Sequence, residues 1–570
     1  MSVSYSRLDL KADDQQAGGE SESSNNDAPK GELLHRHKGL VRRTVLVSAL
    51  TLASRILGFV RESFAALIFG HNSPIFDAFI TAWRIPNLFR RFLGEGAIST
   101  ALQTRLAEVD EDHGDEAGRL LFLRTVNLVT KLLLIIAGGM MVLAAFMPDQ
   151  MPVTGWNWLG ADPAPVRELA IRVMPFVIFI CLSALAGGAL FVRGHFMTPS
   201  LAPVMMNLCW IGTLVYIYQS FSTDGGTPSD AATQLEMARV LAYGVLVAGA
   251  LQLLIQVPAL SRFGLLRGQP GATCTLSPVE LSKGARDVIA RSAPLALGAA
   301  VYQINVLCDG LMAEALLPDG GPTAHYLANR VQQFPLALIA VAATSSVFPA
   351  LKLLGHKGHG SELRGLHDRT QLGIAFLALP ASAGLFALAE PITSVLFEHG
   401  AFGAEGVVRQ AAVLKMLAFA LLPAGAVGLT SRTYYAMGDF KTPVRVSILM
   451  LLINIALNLM FVVGFEMDAD GLALATAISS WGNLLILLPG LANRLGLPRS
   501  DPGWGGRLLF QWLSASLSAG AAYLVHRALF SSSGLVATGA AVATGAAVYA
   551  ALALLFRMPE ANAVIRKFKR

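Results

Sequence analysis

The chain reads as an all-α polytopic membrane protein. About fourteen transmembrane helices are expected, arranged as two parallel six-helix lobes followed by two C-terminal helices. Composition leads there first. Of 570 residues, 54% are hydrophobic and 14% are charged, against about 25% charged in ordinary soluble domains. Mean hydropathy is +0.54. Apolar stretches long enough to cross a bilayer then recur along the whole chain. Finally, Lys and Arg are confined almost entirely to alternate connections. The 54 glycines suit helices that pack closely or bend in lipid.

Residues 1–38 form a polar tail rich in Asp, Glu, Ser, Asn and Gln. Such a composition cannot bury a core and predicts disorder. The tail lacks the apolar segment of a cleaved signal peptide. A basic run follows from His35 to Arg43, which holds the N-terminus in the cytoplasm. Spans are expected near 44–70, 76–107, 119–147, 165–193, 197–221, 238–262, 286–316, 324–353, 368–398, 406–436, 443–465, 470–493, 507–530 and 536–557. The even-numbered connections carry Arg105 and Arg119, Arg193, Arg262 with Arg267, Lys352 with Arg364, Arg432 with Lys441, and Arg494 with Arg499. The odd-numbered connections lack Lys and Arg until the last, which holds Arg527. Both termini are therefore expected in the cytoplasm.

The chain repeats itself. The segment Gly194-His-Phe196-Met-Thr198-Pro199 matches Gly438-Asp-Phe440-Lys-Thr442-Pro443, 244 residues later. Arg84, in AWRIPNLFRR, matches Arg330, in ANRVQQFP, at nearly the same offset of 246. Six spans per half bring both halves in from the same side, so the repeats are parallel, related by an axis along the membrane normal. The expected division is a first lobe over 39–265, a second over 266–500 with its preceding linker, and a terminal helix pair with a basic tail over 501–570. That pair is either an accessory or a surface for a lipid tail.

Ionisable groups within the spans point to function. One such group costs at least roughly 2.5–3.5 kcal/mol in a bilayer, so it faces a cavity or a partner. Arg55, Arg61, Arg84, Arg90 and Arg330 outnumber the acidic groups Glu62, Asp77 and Glu95 at similar depth. Arginine binds phosphate through two parallel hydrogen bonds, so a cavity for an anionic substrate is expected. The alternative for any one arginine is snorkelling, or pairing with those carboxylates. Pro86, Gly94 and Gly96 break the second span, as irregular backbone lining a cavity does. Asp309, Asn454, Asn458 and Thr476 form an oxygen set suited to Na⁺, or else hydrogen-bond between helices.

Other classes are excluded by pattern. The net charge of +6 sits at helix ends rather than in a patch for nucleic acid. The four cysteines form no metal-ligand or disulfide spacing. His71, His325 and His399 are expected in exposed outer loops. Neither a catalytic constellation nor a Walker A motif is present, so the chain reads as a transporter rather than an enzyme.

SRILGFVRE at 54–62, DAFITAWRIPNLFRRFLGEGAIST at 77–100, ANRVQQFP at 328–335 and GDFKTP at 438–443 resemble the MurJ (MviN) family. Its members are lipid II flippases of peptidoglycan synthesis, within the multidrug/oligosaccharidyl-lipid/polysaccharide exporter superfamily. The resemblance runs from about residue 40 to the end. It implies a multi-pass protein of the bacterial inner membrane, serving cell wall biogenesis and cell shape. Two lobes would work by alternating access around a cationic cavity that carries lipid II to the outer leaflet. The family's functional arginines carry over to Arg55, Arg61, Arg90 and Arg330, with Asp77 and Glu95 at acidic positions. The last two helices would hold the polyprenyl tail. A family sodium site would correspond to Asp309, Asn454, Asn458 and Thr476, with Na⁺ or the membrane potential as the energy source and no other cofactor. Lipid II, membrane lipids and cell-wall synthesis proteins are the implied partners. Rival readings are a flippase for another polyprenyl-diphosphate glycan, a multidrug antiporter with an acidic cavity, and a non-transporting cell-wall scaffold.

Overall fold

The computed structural model describes residues 30–90, 98–146, 163–222, 226–268, 274–496, 501–529 and 533–562. Most of the expected disordered tail, together with Arg91, Gly94, Glu95 and Gly96, lies outside the described residues. The chain divides into two compact units, Met1–Ala49 and Leu50–Arg570. Of the first, residues 30–49 are described, and they form the opening turns of the first helix.

The described residues are all-helical. In chain order the helices are α1 (Lys30–Phe69), α2 (Pro74–Phe89), α3 (Ile98–His113), α4 (Asp115–Ala145), α5 (Pro163–Val173), α6 (Phe176–Val192), α7 (Met197–Phe221), α8 (Ala231–Leu254), α9 (Val257–Arg262) and α10 (Pro278–Leu316). There follow α11 (Gly321–Leu336), α12 (Ala342–His356), α13 (Gly360–Ala387), α14 (Ala389–Phe397), α15 (Gly403–Ala418), α16 (Leu421–Ala436), α17 (Lys441–Leu459), α18 (Ala469–Leu495), α19 (Trp504–Ala528) and α20 (Gly534–Leu555).

Among the described residues, ten helical segments are long and apolar enough to cross a membrane. These ten coincide with ten of the fourteen expected spans. The other four expected spans, 44–70, 76–107, 286–316 and 324–353, are the first two of each half, and each includes positions that lie outside the described residues or side chains. Residues 91–97, between α2 and α3, fall within span 76–107. Span 324–353 is divided by a π-helical stretch, Ala337–Val341, just after Pro335, where a missing amide donor loosens the backbone.

Large apolar side chains such as Ile135, Leu143, Leu485, Leu517 and Leu524 are exposed on the outer faces. In a soluble protein such exposure would be a liability; here it matches a hydrocarbon surround. The largest buried cluster joins the end of α1 to α2–α8, including Phe79, Trp83, Phe176 and Trp210. A second joins α11, α14, α15 and α18 through Leu327, Phe397, Phe402 and Leu414.

The sequence repeat has a backbone counterpart. Gly194 and Gly438 both take the left-handed conformation, with φ of +73° and +79°. Each closes the preceding helix with the same pair of bonds. In the first half, His195 N–H donates to Leu190 O and Gly194 N–H to Phe191 O. In the second, Asp439 N–H donates to Tyr434 O and Gly438 N–H to Tyr435 O. These are helix C-caps of the glycine type, and they start α7 and α17.

Candidate functional site: an arginine-lined cavity

A cavity of about 360 Å³ opens between α1, α2, α7 and α11, lined by Arg55, Arg61, Glu62, Arg90, Asn207 and Arg330 among others. Four of the five arginines expected from the sequence meet here, with a single carboxylate among the described residues. Helical spacing accounts for the α1 set: residues 54, 55, 58, 61 and 62 recur at three and four positions and so share a face.

Each guanidinium is held differently. Arg61 Nη1 donates to Asn207 Oδ1 at 3.2 Å, its Nη2 is bonded to Glu62, and its guanidinium lies 4.3 Å from the Trp210 ring centre. Asn207 is itself anchored to Ser54 O at 2.9 Å. On α11, Arg330 Nη2 donates to the Tyr326 hydroxyl at 2.9 Å, and that hydroxyl donates to Glu62 Oε1 at 2.9 Å. Arg330 Nε lies 3.5 Å from the same carboxylate oxygen. Glu62, 5% exposed, thus ties α1 to α11 by way of two arginines and a tyrosine. Arg90 Nε donates to Asn87 Oδ1 at 3.0 Å. Arg55 forms no ion pair among the described residues.

Arg84 does not line this cavity. Six residues from Arg90, it lies about 240° around the helix. Its guanidinium lies against Gly310 of α10, within electrostatic reach of Glu314, Asp309 and Asp77. Asp77, 3% exposed, is also outside the cavity. It accepts bonds from Gly320 N–H at 2.6 Å, Thr323 N–H at 2.9 Å and the Thr323 hydroxyl at 2.5 Å. It thereby caps the N-terminus of α11 from the other half of the sequence. Glu95 lies outside the described residues.

These contacts form reciprocal pairs. From α2, Thr81 donates to Glu314 of α10 at 2.7 Å; from α11, Tyr326 donates to Glu62 of α1. Arg84 and Arg330, the repeat-related arginines, likewise each reach the first helix of the opposite half.

The oxygen set also comes together. Asp309 accepts from Asn458 Nδ2 at 2.9 Å, Thr476 Oγ1 at 3.2 Å and Asn305 Nδ2 at 3.1 Å. Asn458 Nδ2 lies 3.3 Å from Asn454 Oδ1. Asn458 Oδ1 is buried and meets no donor among the described residues. These are hard oxygen donors, and the orphaned carbonyl oxygen fits a monovalent cation. Among the described residues no three His, Cys, Asp or Glu cluster as metal ligands.

Two charge placements differ from expectation. His325 lies not in an exposed loop but inside α11, 3% exposed, because α11 begins at Gly321 and packs against α2. Arg364, expected in a charged connection, is 2% exposed and pairs with Asp368 at 3.1 Å. Tyr326, Asn207, Trp83 and Trp210 were not singled out by sequence. Tyr326 carried a signal, sitting four residues before Arg330 on one helical face. Asn207 carried none, being 146 residues from Arg61.

A second, apolar cavity of about 850 Å³ lies beside the first. It is lined by α13, α19 and α20, including Phe376, Leu388, Ala522, Ala546 and Tyr549, and by Ile56 and Val331. Phe59 and Phe334 line both cavities, their ring centres 5.6 Å apart, edge to face.

Comparison with known proteins agrees with this architecture. A family profile described as "Lipid II flippase MurJ" matches residues 65–558. A protein from Burkholderia cenocepacia named "Lipid II flippase MurJ" is 30% identical, over 84% of this chain and 88% of its own. One from Vibrio cholerae named "Probable lipid II flippase MurJ" is 32% identical, over 80% and 83%. The fold resembles a solved "Lipid II flippase MurJ, inward closed conformation", with a TM-score of 0.67 and 21% identity over 90% of this chain and 99% of that one. It also resembles an inward-facing MATE family transporter of the MOP superfamily, with a TM-score of 0.57 and 13% identity over 79% and 98%. The profile match over most of the chain, with relatives that span most of their own length, shows that this chain belongs to the MurJ family of lipid II flippases.

Proposed function

We propose that the protein carries lipid II from the inner to the outer leaflet of the bacterial cytoplasmic membrane by alternating access, with both termini in the cytoplasm. The observation that carries this reading is the adjacency of the two cavities across Phe59 and Phe334. An amphipathic substrate with a diphosphate head and a long apolar tail needs that pairing of surfaces. Four arginines facing one carboxylate among the described residues attract the diphosphate, and the guanidinium forks match its oxygens. The apolar groove keeps the polyprenyl chain in a hydrocarbon setting while the head group crosses. Family membership places the protein among transporters rather than enzymes.

Head-group binding neutralises the mutual repulsion of the arginines and lets the two lobes, 39–265 and 266–500, close around it. The reciprocal contacts of α2 with α10 and of α11 with α1 would have to break for the opposite side to open. Asp309, Asn454, Asn458 and Thr476 would hold Na⁺, which would supply a coupling charge. The membrane potential is the other energy source, at about 2.3 kcal/mol per charge per 100 mV.

Complementation tests the reading. The chain is expressed in cells depleted of their own lipid II flippase, and lipid II reaching the outer leaflet is measured. Rescue is expected, and Arg61→Ala and Arg330→Ala are expected to abolish it with membrane insertion intact. A correctly inserted wild-type chain that gives no rescue would redirect the assignment to another polyprenyl-diphosphate glycan. Full transport by both variants would remove the arginines from the mechanism.

A further inference from the structure

A third cavity, of about 240 Å³, lies wholly within the first half of the chain. Its walls come from α3, α6, α7 and the α8–α9 junction, and it shares Arg90 and Pro203 with the arginine-lined cavity. It is smaller than the roughly 300–1,000 Å³ of drug-sized ligand pockets, so it suits one ring-sized group rather than a whole head group.

The chemistry of its wall is specific. Gln256, 1% exposed, and Gln252, 7% exposed, both face it. The Gln256 amide nitrogen donates to Ser183 Oγ at 2.6 Å, Ser183 O at 3.1 Å and Gln252 O at 3.2 Å. Those acceptors fix the orientation of the amide, since turning it over would set its oxygen against two carbonyls. The Gln256 oxygen is thereby directed toward Gly187 and Pro199, two lining residues. Among the described residues, neither Gln256 Oε1 nor Gln252 Oε1 meets a donor. Two buried acceptors without donors cost stability unless something supplies them. In a cavity joined to the substrate site, a ligand is well placed to do so.

We propose that this pocket is a subsite for the sugar ring attached to the diphosphate, whose hydroxyl and acetamido N–H groups donate to Gln252 and Gln256. The inference rests on the proposed transport of lipid II and deepens it. Arg90, which borders both cavities, marks the junction between diphosphate and sugar. The pocket reads hydrogen-bond donors and carries no carboxylate among the described residues, so it adds discrimination for the glycan without opposing the anion.

The test measures binding of two probes, lipid II and bare polyprenyl diphosphate, to the purified full-length protein in lipid nanodiscs. Gln256→Leu is expected to weaken lipid II binding about threefold to tenfold, in line with loss of one neutral hydrogen bond, and to leave bare polyprenyl diphosphate unchanged. Because Gln256 also ties α6 to α8, Gly187→Ala serves as a second variant. Its added methyl would stand 3.3 Å from Gln256 Oε1 and narrow the pocket while keeping both glutamines. It should show the same selective loss. Equal weakening of both probes, or no change in either, would overturn the proposal. So would an effect that vanishes with a lipid-linked disaccharide lacking its peptide, which would assign the pocket to peptide amides. Failure of the wild-type protein to bind either probe would instead count against lipid II transport itself, and Arg61→Ala, expected to weaken both probes, keeps that failure separate.

Discussion

Asp77 caps a helix that belongs to the other half of the chain, and its three hydrogen bonds leave with its carboxylate. Asp77→Ala strands the amides of Gly320 and Thr323, which should lower stability by about 1–3 kcal/mol. Thermal melting in detergent checks this, and an unchanged melting temperature would dismiss the cap as ornamental. At this scale the sequence was informative about kind and poor about direction. A surplus of arginines among apolar residues marked these side chains as a set, and Arg55, Arg61, Arg90 and Arg330 do share a cavity. Arg84 is chemically their equal, yet it lies against Gly310. Which way a side chain projects depends on helix rotation, and rotation is set by packing partners hundreds of residues away.

The glycines at 194 and 438 end helices in a conformation that costs other residues about 1–2 kcal/mol. Gly438→Ala is expected to lower the melting temperature, and Gly194→Ala to do so by a similar amount, because the two caps share one hydrogen-bond pattern. Unequal losses of several-fold would argue against equivalent roles. A pH dependence belongs to the end of α3. Burial lifts the Asp110 carboxyl from the ordinary 3.8 to about 6, Arg193 opposes that rise, and Asp115 adds to it. The folded chain therefore holds this proton more tightly than the unfolded chain. The contribution of Asp110 to stability falls as pH rises between about 4 and 6. Asp110→Asn should gain melting temperature relative to wild type across that window and hold a constant difference above it. A difference that shrank with rising pH would reverse the assignment. At the element scale most helices were legible, since a long apolar run has few other fates in a membrane protein. The first two spans of each half are the ones that carry the site's charges, and the sequence placed them by the alternation of basic and neutral connections as much as by apolar length.

At the scale of the molecule, the two halves meet through exchanged contacts, with Thr81 on Glu314 and Tyr326 on Glu62. If transport requires them to separate, fastening one should stop the cycle. Cysteines at 81 and 314 joined by a short bifunctional reagent are expected to abolish lipid II transport while polyprenyl diphosphate still binds. Transport that survives complete cross-linking would show that α2 and α10 stay together throughout.

The sequence by itself determined the all-helical membrane class, the internal repeat and the surplus of arginines within the spans. Each of these follows from local composition and from spacing along one chain. Tertiary structure decided that Glu62 would hold Arg61 and Arg330 together, that Asp77 would cap α11, and that Phe59 and Phe334 would stand between a polar and an apolar cavity. It also turned Gln252 and Gln256 toward a common pocket. These are pairings between residues far apart in sequence, fixed only when helices pack at one rotation and one depth. No periodicity within a single helix encodes that choice.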